Sequence, residues 1–237
     1  MSVCSSTPDG GARAPPPFTT AIMSTDNPND KPLFRLNTVP SIAVKILTAS
    51  GIKTARVRYP SDAEWCRRAH RVRIIRRPVG RDLHEASATK QGEADLELLN
   101  AILVDKSVAF DEAEASQVID RLDSCDAVAE FDGTEFVVTV TVPRLMAGLE
   151  LVHVCRIPEA LDVEVFKDAH LKMSFGRKFS ESRIALEPAA ELYRKVIVRT
   201  EGYAGDVPIT HQLAVVTEIV NEYDRISADL AVEIPEA

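Results

Sequence analysis

The chain has 237 residues, 45% of them hydrophobic and 27% charged, with a formal net charge of −8. That is an ordinary globular composition, long enough for one good core or two modest ones. The acidic total argues against general affinity for nucleic acid or anionic membranes, which reward a basic field, and no apolar run approaches the ~20 residues that span a bilayer.

Residues 1–32 are rich in Ser, Thr, Pro, Gly, Asp and Asn, including Pro15-Pro16-Pro17. So few apolar side chains do not offset the entropy of ordering, and the composition predicts a disordered segment. Met23, followed by Ser24-Thr25-Asp26, is a second candidate start of translation. The segment 1–30 has Arg13 as its sole basic residue and no apolar core of signal-peptide length. Four scattered cysteines, Cys4, Cys66, Cys125 and Cys155, do not form a disulfide framework. Together these predict a cytoplasmic protein with reduced thiols.

Residues 33–90 read as a smaller β/helix region. Strands are predicted at 34–37, 42–48 and 53–57, with Ser50-Gly51 as the turn between the last two. After Pro60, Ser61 and Glu64 have the spacing of a capping box, in which each side chain bonds the other residue's backbone amide. The helix is expected over 61–77, with Trp65, Ala69 and Val72 on its apolar stripe and Pro78 and Gly80 ending it.

Residues 91–225 read as the main domain. Leu96, Leu99 and Leu103 predict a helix over 94–103. Asp111 and Glu114 cap a second, with Ala115, Val118, Ile119 and Leu122 inward, so the two form an αα-hairpin. The clearest signal is a three-stranded meander over 127–157. Asp132-Gly133 suits a two-residue type I′ turn, and Phe136, Val138, Val140 and Val142 recur at period two. In the third strand Leu149, Leu151, His153 and Cys155 share a face. Pro158 then opens a helix to about residue 173 with Leu161, Val165, Phe166, Ala169 and Met173 inward. A loop at 174–178, a short strand at 182–186 and a helix from Pro188 to the stop at Gly202 follow. Pro208 opens the last helix, with Ile209, Leu213, Val216, Val220 and Tyr223 on one stripe to about Arg225, and 226–237 reads as a tail. The fold class is α+β: an antiparallel β-meander packed by amphipathic helices.

Charge is unevenly spread. Residues 61–81 hold seven arginines against Asp62 and Glu64, a local +5 that leaves −13 for the remainder. On an acidic body these guanidinium groups are expected to pair with carboxylates of the same chain or of a neighbouring subunit, which makes Arg67, Arg71 and Arg77 the candidate partner-binding residues. The competing reading is a nucleic-acid-binding regulator using helix 61–77 on phosphate, with Trp65 and Tyr59 the nearest aromatic groups. Cys66 and His70, four apart, and His153 and Cys155, two apart, have spacings that permit zinc without specifying it. Glu112 with Glu114, and Asp162 with Glu164, are two apart on helices and point away from each other. His211, near the last helix's start, reads as exposed or capping. The chain lacks a Gly-x-Ser-x-Gly elbow, a Gly-x-x-x-x-Gly-Lys loop and a Gly-x-Gly-x-x-Gly fingerprint. No enzyme activity, cofactor or metal is assigned.

Two stretches, Arg58-Tyr59-Pro60-Ser61-Asp62-Ala63-Glu64-Trp65 with the basic run to Val79-Gly80-Arg81, and Tyr193 through Glu201-Gly202-Tyr203-Ala204-Gly205-Asp206-Val207-Pro208-Ile209-Thr210-His211, resemble an uncharacterised family of prophages and tailed phages placed among tail morphogenesis genes. The resemblance spans about residues 34–224. It implies a non-enzymatic tail assembly or structural protein, in its narrower form a chaperone that shields another tail protein. The partners implied are other phage tail proteins or further copies of the chain, in the bacterial cytoplasm or in the virion.

Overall fold

Alternation of buried and exposed residues begins just after Pro40 and sets the first hairpin of an α+β chain. The computed structural model describes residues 32–36, 38–78, 84–89, 91–175 and 180–232. The segment 1–32, read as disordered, lies outside them except for Pro32, as do Met23 and residues 233–237. β1 (Ile42–Thr48) pairs antiparallel with β2 (Gly51–Val57), and Gly51, at φ 120°, makes the turn. Ile42, Val44 and Ile46 face inward.

α1 (Asp62–Arg71) starts where the capping box places it. Glu64 reaches back to accept from the Ser61 N–H at 3.0 Å and the Ser61 hydroxyl at 2.8 Å. It does not run to residue 77. Val72 is already extended, and β3 (Arg73–Pro78) pairs with β4 (His84–Thr89), a stretch that reads as a polar connection in the sequence. The Arg-Ile-Ile-Arg-Arg spacing fits a helical stripe, but β-branched residues on each side of Arg73 and a second partner strand make the extended form the better one. That second partner is β9 (Ser180–Ile184), which also pairs with β8 (Leu171–Phe175). The order β4-β3-β9-β8 makes a four-stranded antiparallel sheet. None of its described side chains joins the main hydrophobic cluster, and it touches α1 through β9 and α4 through β8.

α2 (Gln91–Ile102) and α3 (Glu112–Asp123) form the expected helical pair. Asp111 caps α3 by accepting the Glu114 N–H at 2.8 Å, and Ala115, Val118, Ile119 and Leu122 are buried. The meander follows as β5 (Asp126–Phe131), β6 (Glu135–Val142) and β7 (Met146–Arg156), all antiparallel. Its first turn is centred on Gly133-Thr134 rather than Asp132-Gly133. The Asp132 N–H donates to the Glu135 carbonyl at 3.2 Å, and the Asp132 carboxylate accepts from the Thr134 and Glu135 amides at 2.8 Å each. Gly133 has φ 99°, and nothing lies within 4 Å of where a Cβ would stand. Gly133→Val should therefore cost on the order of 1 kcal/mol from backbone strain alone. The readout is a lower urea midpoint at unchanged slope; an unchanged midpoint would show that the turn relaxes without cost.

Two helices are shorter than their apolar spacing suggests. α4 (Ala160–His170) gives way at Leu171 to β8, and it buries Val163 and Phe166 while Leu161 and Val165 face solvent, reversing their expected orientation. α5 (Glu187–Val196) ends before β10 (Ile197–Glu201), where the spacing predicts its last turn. β10 adds to the free edge of β7 and completes the order β10-β7-β6-β5. α6 (Ile209–Val232) runs past Arg225, through residues that read as a tail.

The hairpin β1-β2 and the meander lie in separate sheets, yet one hydrophobic cluster joins them. Val44, Ile46, Trp65, Leu99, Ile119, Val138, Val140, Leu151 and Val216 all belong to it. α6 covers the inner face of β5 and β6. No helix among the described residues is long and apolar enough to cross a membrane.

Candidate functional site

The arginine-rich segment is split between α1 and β3, and most of its described side chains are paired within the chain. Arg58 grips Glu64 through both guanidinium nitrogens, one at 2.8 Å, and this pairing, despite partial burial, holds the Glu64 carboxyl down at about 2. Arg68 donates its Nε–H to Asp95 at 2.6 Å and reaches Asp123 at 3.4 Å. Arg71 pairs with Glu97, His70 lies 3.2 Å from Glu187, and Arg73 lies 3.4 Å from Glu181. Of the three candidate partner-binding residues, Arg67 is exposed and makes no ion pair among the described residues. Arg71 is exposed and engaged with Glu97. Arg77 is on β3, not on the helix, and its side chain lies outside the described residues. Arg67, Arg68 and Arg71 line a groove between α1 and α2 with Glu64, Glu97 and Leu98.

The two Cys/His pairs do not meet. His70 is exposed on α1 beside Glu187, whereas His153 and Cys155 are wholly buried on the inner face of β7. Burial first, then the nearby Glu187, pushes the Cys66 thiol up to about 11; burial and Glu135 push Cys155 to about 12. Among the described residues no three His, Cys, Asp or Glu side chains are grouped to hold a metal ion.

What the structure does assemble is a buried line of four rings. His153 Nδ1 is 2.9 Å from the Tyr193 hydroxyl of α5, His153 Nε2 is 2.9 Å from the Tyr203 hydroxyl, and that hydroxyl is 3.0 Å from His211 Nδ1 on α6. A neutral imidazole has one donor and one acceptor nitrogen, and Tyr203 has one proton to give. The line is thus satisfied when its protons all run one way: Tyr193 to His153, His153 to Tyr203, Tyr203 to His211, or the reverse. Burial lowers both histidines to about 4, with the charge of His153 adding to the effect at His211. It raises both tyrosines. His211 is 2% exposed rather than on the surface as expected.

The line is held at both ends of the chain. The Phe34 ring lies edge-on to Tyr203 and His211, at 5.8 and 4.9 Å between centroids. Phe34 also donates its N–H to the Gly202 carbonyl at 2.6 Å and accepts from Ala204 at 3.0 Å. At Gly202, φ is 92° and a Cβ would stand 2.9 Å from Leu151, so this tight turn needs glycine. The Asp62 carboxylate of α1 accepts the Ile209 N–H at 3.0 Å and so caps α6. Residues 58–65 and 193–211, the two stretches that carry the family resemblance, therefore meet at one place in the fold. In the sequence the inward alternation of His153 is visible; its tyrosine partners, one on a helix and one in a turn, give no spacing signal.

Comparison with protein-family models, with curated proteins and with solved structures finds no match.

Proposed function

We propose that the protein is a non-enzymatic component of phage-tail assembly that works through its surfaces, in its narrower form a tail assembly chaperone, in the host cytoplasm or carried into the virion. The observation that carries the reading is an exposed apolar ridge. Leu161 and Val165, one turn apart on α4, are 73% and 53% exposed, and Ile157, in the connection between β7 and α4, is 45% exposed. Apolar side chains left in water at helical spacing favour a protein partner. The resemblance at residues 58–65 and 193–211 names tail proteins as the class of partner. Co-expression with the tail-tube and tape-measure proteins of the same genome tests this. The chain should co-purify with one of them and lose it in the Leu161→Glu, Val165→Glu variant. Capture of neither protein, or flanking genes with no phage function, overturns the reading.

A second reading, a nucleic-acid-binding regulator, is favoured by the grouping of Arg73, Arg76 and Arg77 on the one strand β3. The ion pairs of Arg68, Arg71 and Arg73 weigh against it, because guanidinium groups held by carboxylates have less to offer phosphate. No duplex shift is expected at about 150 mM salt, where even nonspecific binders reach about 10⁻⁴ to 10⁻⁶ M through basic surfaces. A shift that vanishes in a folded Arg67→Glu, Arg71→Glu, Arg77→Glu variant would establish the regulator instead.

A further inference from the structure

In the sheet β10-β7-β6-β5, Phe136, Val138, Val140, Leu151 and Cys155 face the core, whereas on the opposite face Val128 and Glu130 are exposed, Val137, Thr139 and Val152 are half-buried and Val154 is buried. On antiparallel strands, residues in register share a face, so the pairing spells out this outer surface row by row. One row reads Glu130, Val137, Val154, Arg199 from β5 to β10. The row toward the Gly133 turn has Glu135 beside Arg156, and the row on the other side reads Val128, Thr139, Val152, Glu201. Val128 is 63% exposed, although it is an apolar residue in the middle of a strand.

Charge runs across the first two of these rows in a fixed sense, with carboxylates toward the β5 side and guanidinium groups toward the β10 side. Such a row is complementary to its own reversal. We propose that two copies of this chain pair through this face, sheet on sheet, about a two-fold axis parallel to the strands and lying between β6 and β7. That rotation exchanges the β5 and β10 edges while keeping each row at its level. Glu130 then faces Arg199 of the partner subunit and Glu135 faces Arg156 of the partner subunit, while Val154, only 3% exposed, has little surface to offer. Each of these contacts occurs twice, as an isologous interface requires. The same rotation sets Glu201 against Val128 of the partner subunit, so the ion pairs of the first two rows carry the contact.

The charged side chains are available for this. Glu130 and Arg156 make no ion pair among the described residues, and Arg199 is only loosely engaged, 3.7 Å from Glu201 with both side chains more than half exposed. Face-to-face sheets pack ~10 Å apart with strands within about 30° of alignment, which keeps the two central rows in contact. The patch is about four strands by six residues, roughly 20 Å on a side. That lies at the small end of specific interfaces and sets the expected affinity in the micromolar range.

The pairing deepens the surface-acting reading by naming a second copy as one partner, and it fails separately from it. A monomer that still co-purifies with a tail protein would sink the pairing and leave the tail reading standing. The test is the sedimentation of the full chain from about 1 to about 100 μM, across the affinities typical of small interfaces. Its average mass should climb from 26.0 kDa toward twice that value. Glu130→Arg and Arg199→Glu alone should each weaken self-association about tenfold, by setting like charges opposite each other. The double exchange, Glu130→Arg with Arg199→Glu, should restore it to within about threefold, because the rotation swaps both partners at once. The two sites lie on opposite edges of their own sheet, so the rescue reports a contact between copies, and melting temperatures check that each variant folds. A mass fixed at 26.0 kDa throughout gives this face to a different protein and overturns the proposal. So does a dimer indifferent to both single changes, or a double variant no better than either.

Discussion

Between pH 6.5 and about 4 the protein should lose most of its stability. The cause is the line Tyr193, His153, Tyr203, His211, whose two imidazoles are held neutral by burial down to about 4. In the unfolded chain a histidine takes up a proton near pH 6.5. Above that value neither state binds the proton and the folded state keeps its full advantage. As pH falls from 6.5 toward 4 only the unfolded state is protonated, so each histidine removes up to about 1.4 kcal/mol per pH unit, and about 3 kcal/mol over the window. Two together approach the whole stability of a typical domain, ~5–15 kcal/mol. Glu64, held down at about 2, acts lower: its contribution is complete above the ordinary carboxylate range and is lost only as pH falls toward 2. Thermal melts at half-unit steps from pH 7.5 to about 4.5 measure the slope. His153→Gln, which can still hydrogen-bond both tyrosines but does not titrate, should melt lower at pH 7.5 and halve the slope. A melting temperature flat from pH 7 to about 5 would show that the imidazoles are not sealed from protons.

Arg68→Ala should cost about 3 kcal/mol, more than the loss of any exposed arginine in the segment. Asp95 is completely buried, and its carboxylate has two partners, the Arg68 Nε–H at 2.6 Å and the Ser116 hydroxyl at 2.7 Å. The Arg68 side chain is itself 14% exposed, and its guanidinium lies 5.7 Å from the centre of the Trp65 ring. Removing Arg68 strands a charge where water does not reach, and the penalty is mostly that of the abandoned carboxylate. At roughly 2–4 °C per kcal/mol for a chain of this size, the melting temperature should fall by about 6–12 °C. Adding Asp95→Asn should recover part of the loss, and Arg68→Met with Asp95→Leu should also recover part, short of the parent because the Ser116 hydroxyl and Asp123 lose their partners. If Arg68→Ala melts within about 2 °C of the parent, the pair is solvated and holds nothing. Arg71→Ala, whose partner Glu97 is half exposed, sets the baseline at under about 1 kcal/mol.

How far the sequence carries depends on whether each signal is local. The meander is legible because Phe136 to Val142 alternate without interruption and Gly133 supplies the one positive φ its turn needs. α3 is legible because Asp111 and Glu114 cap a clean run of apolar residues at helical spacing. The errors fall where a helical stripe runs into β-branched residues. Val196 continues the stripe of Leu192 and Tyr193, so Ile197 and Val198 look like one more turn; only the unpaired edge of β7, some 40 residues earlier, makes them a strand. Ile74 and Ile75 go the same way because β4 and β9 are there to pair with them. Arg68 illustrates the same limit at the level of side chains. Its sequence neighbours Arg67 and Arg71 stand out as candidate partner-binding groups, while the buried acid that gives Arg68 its weight lies 27 residues away on α2.

The Asp62 cap on α6 spans 147 residues of chain. A ribosome adding about 5–20 residues per second delivers α1 roughly 7–30 seconds before the amide that Asp62 is to accept. Throughout that interval the inner face of β5 and β6 is without the helix that covers it, and Phe34 is without the Gly202 turn that clamps it. The nascent chain is therefore an open half-core until α6 emerges. A premature stop before Ile209 should yield no smaller folded protein, only a chain destined for proteolysis.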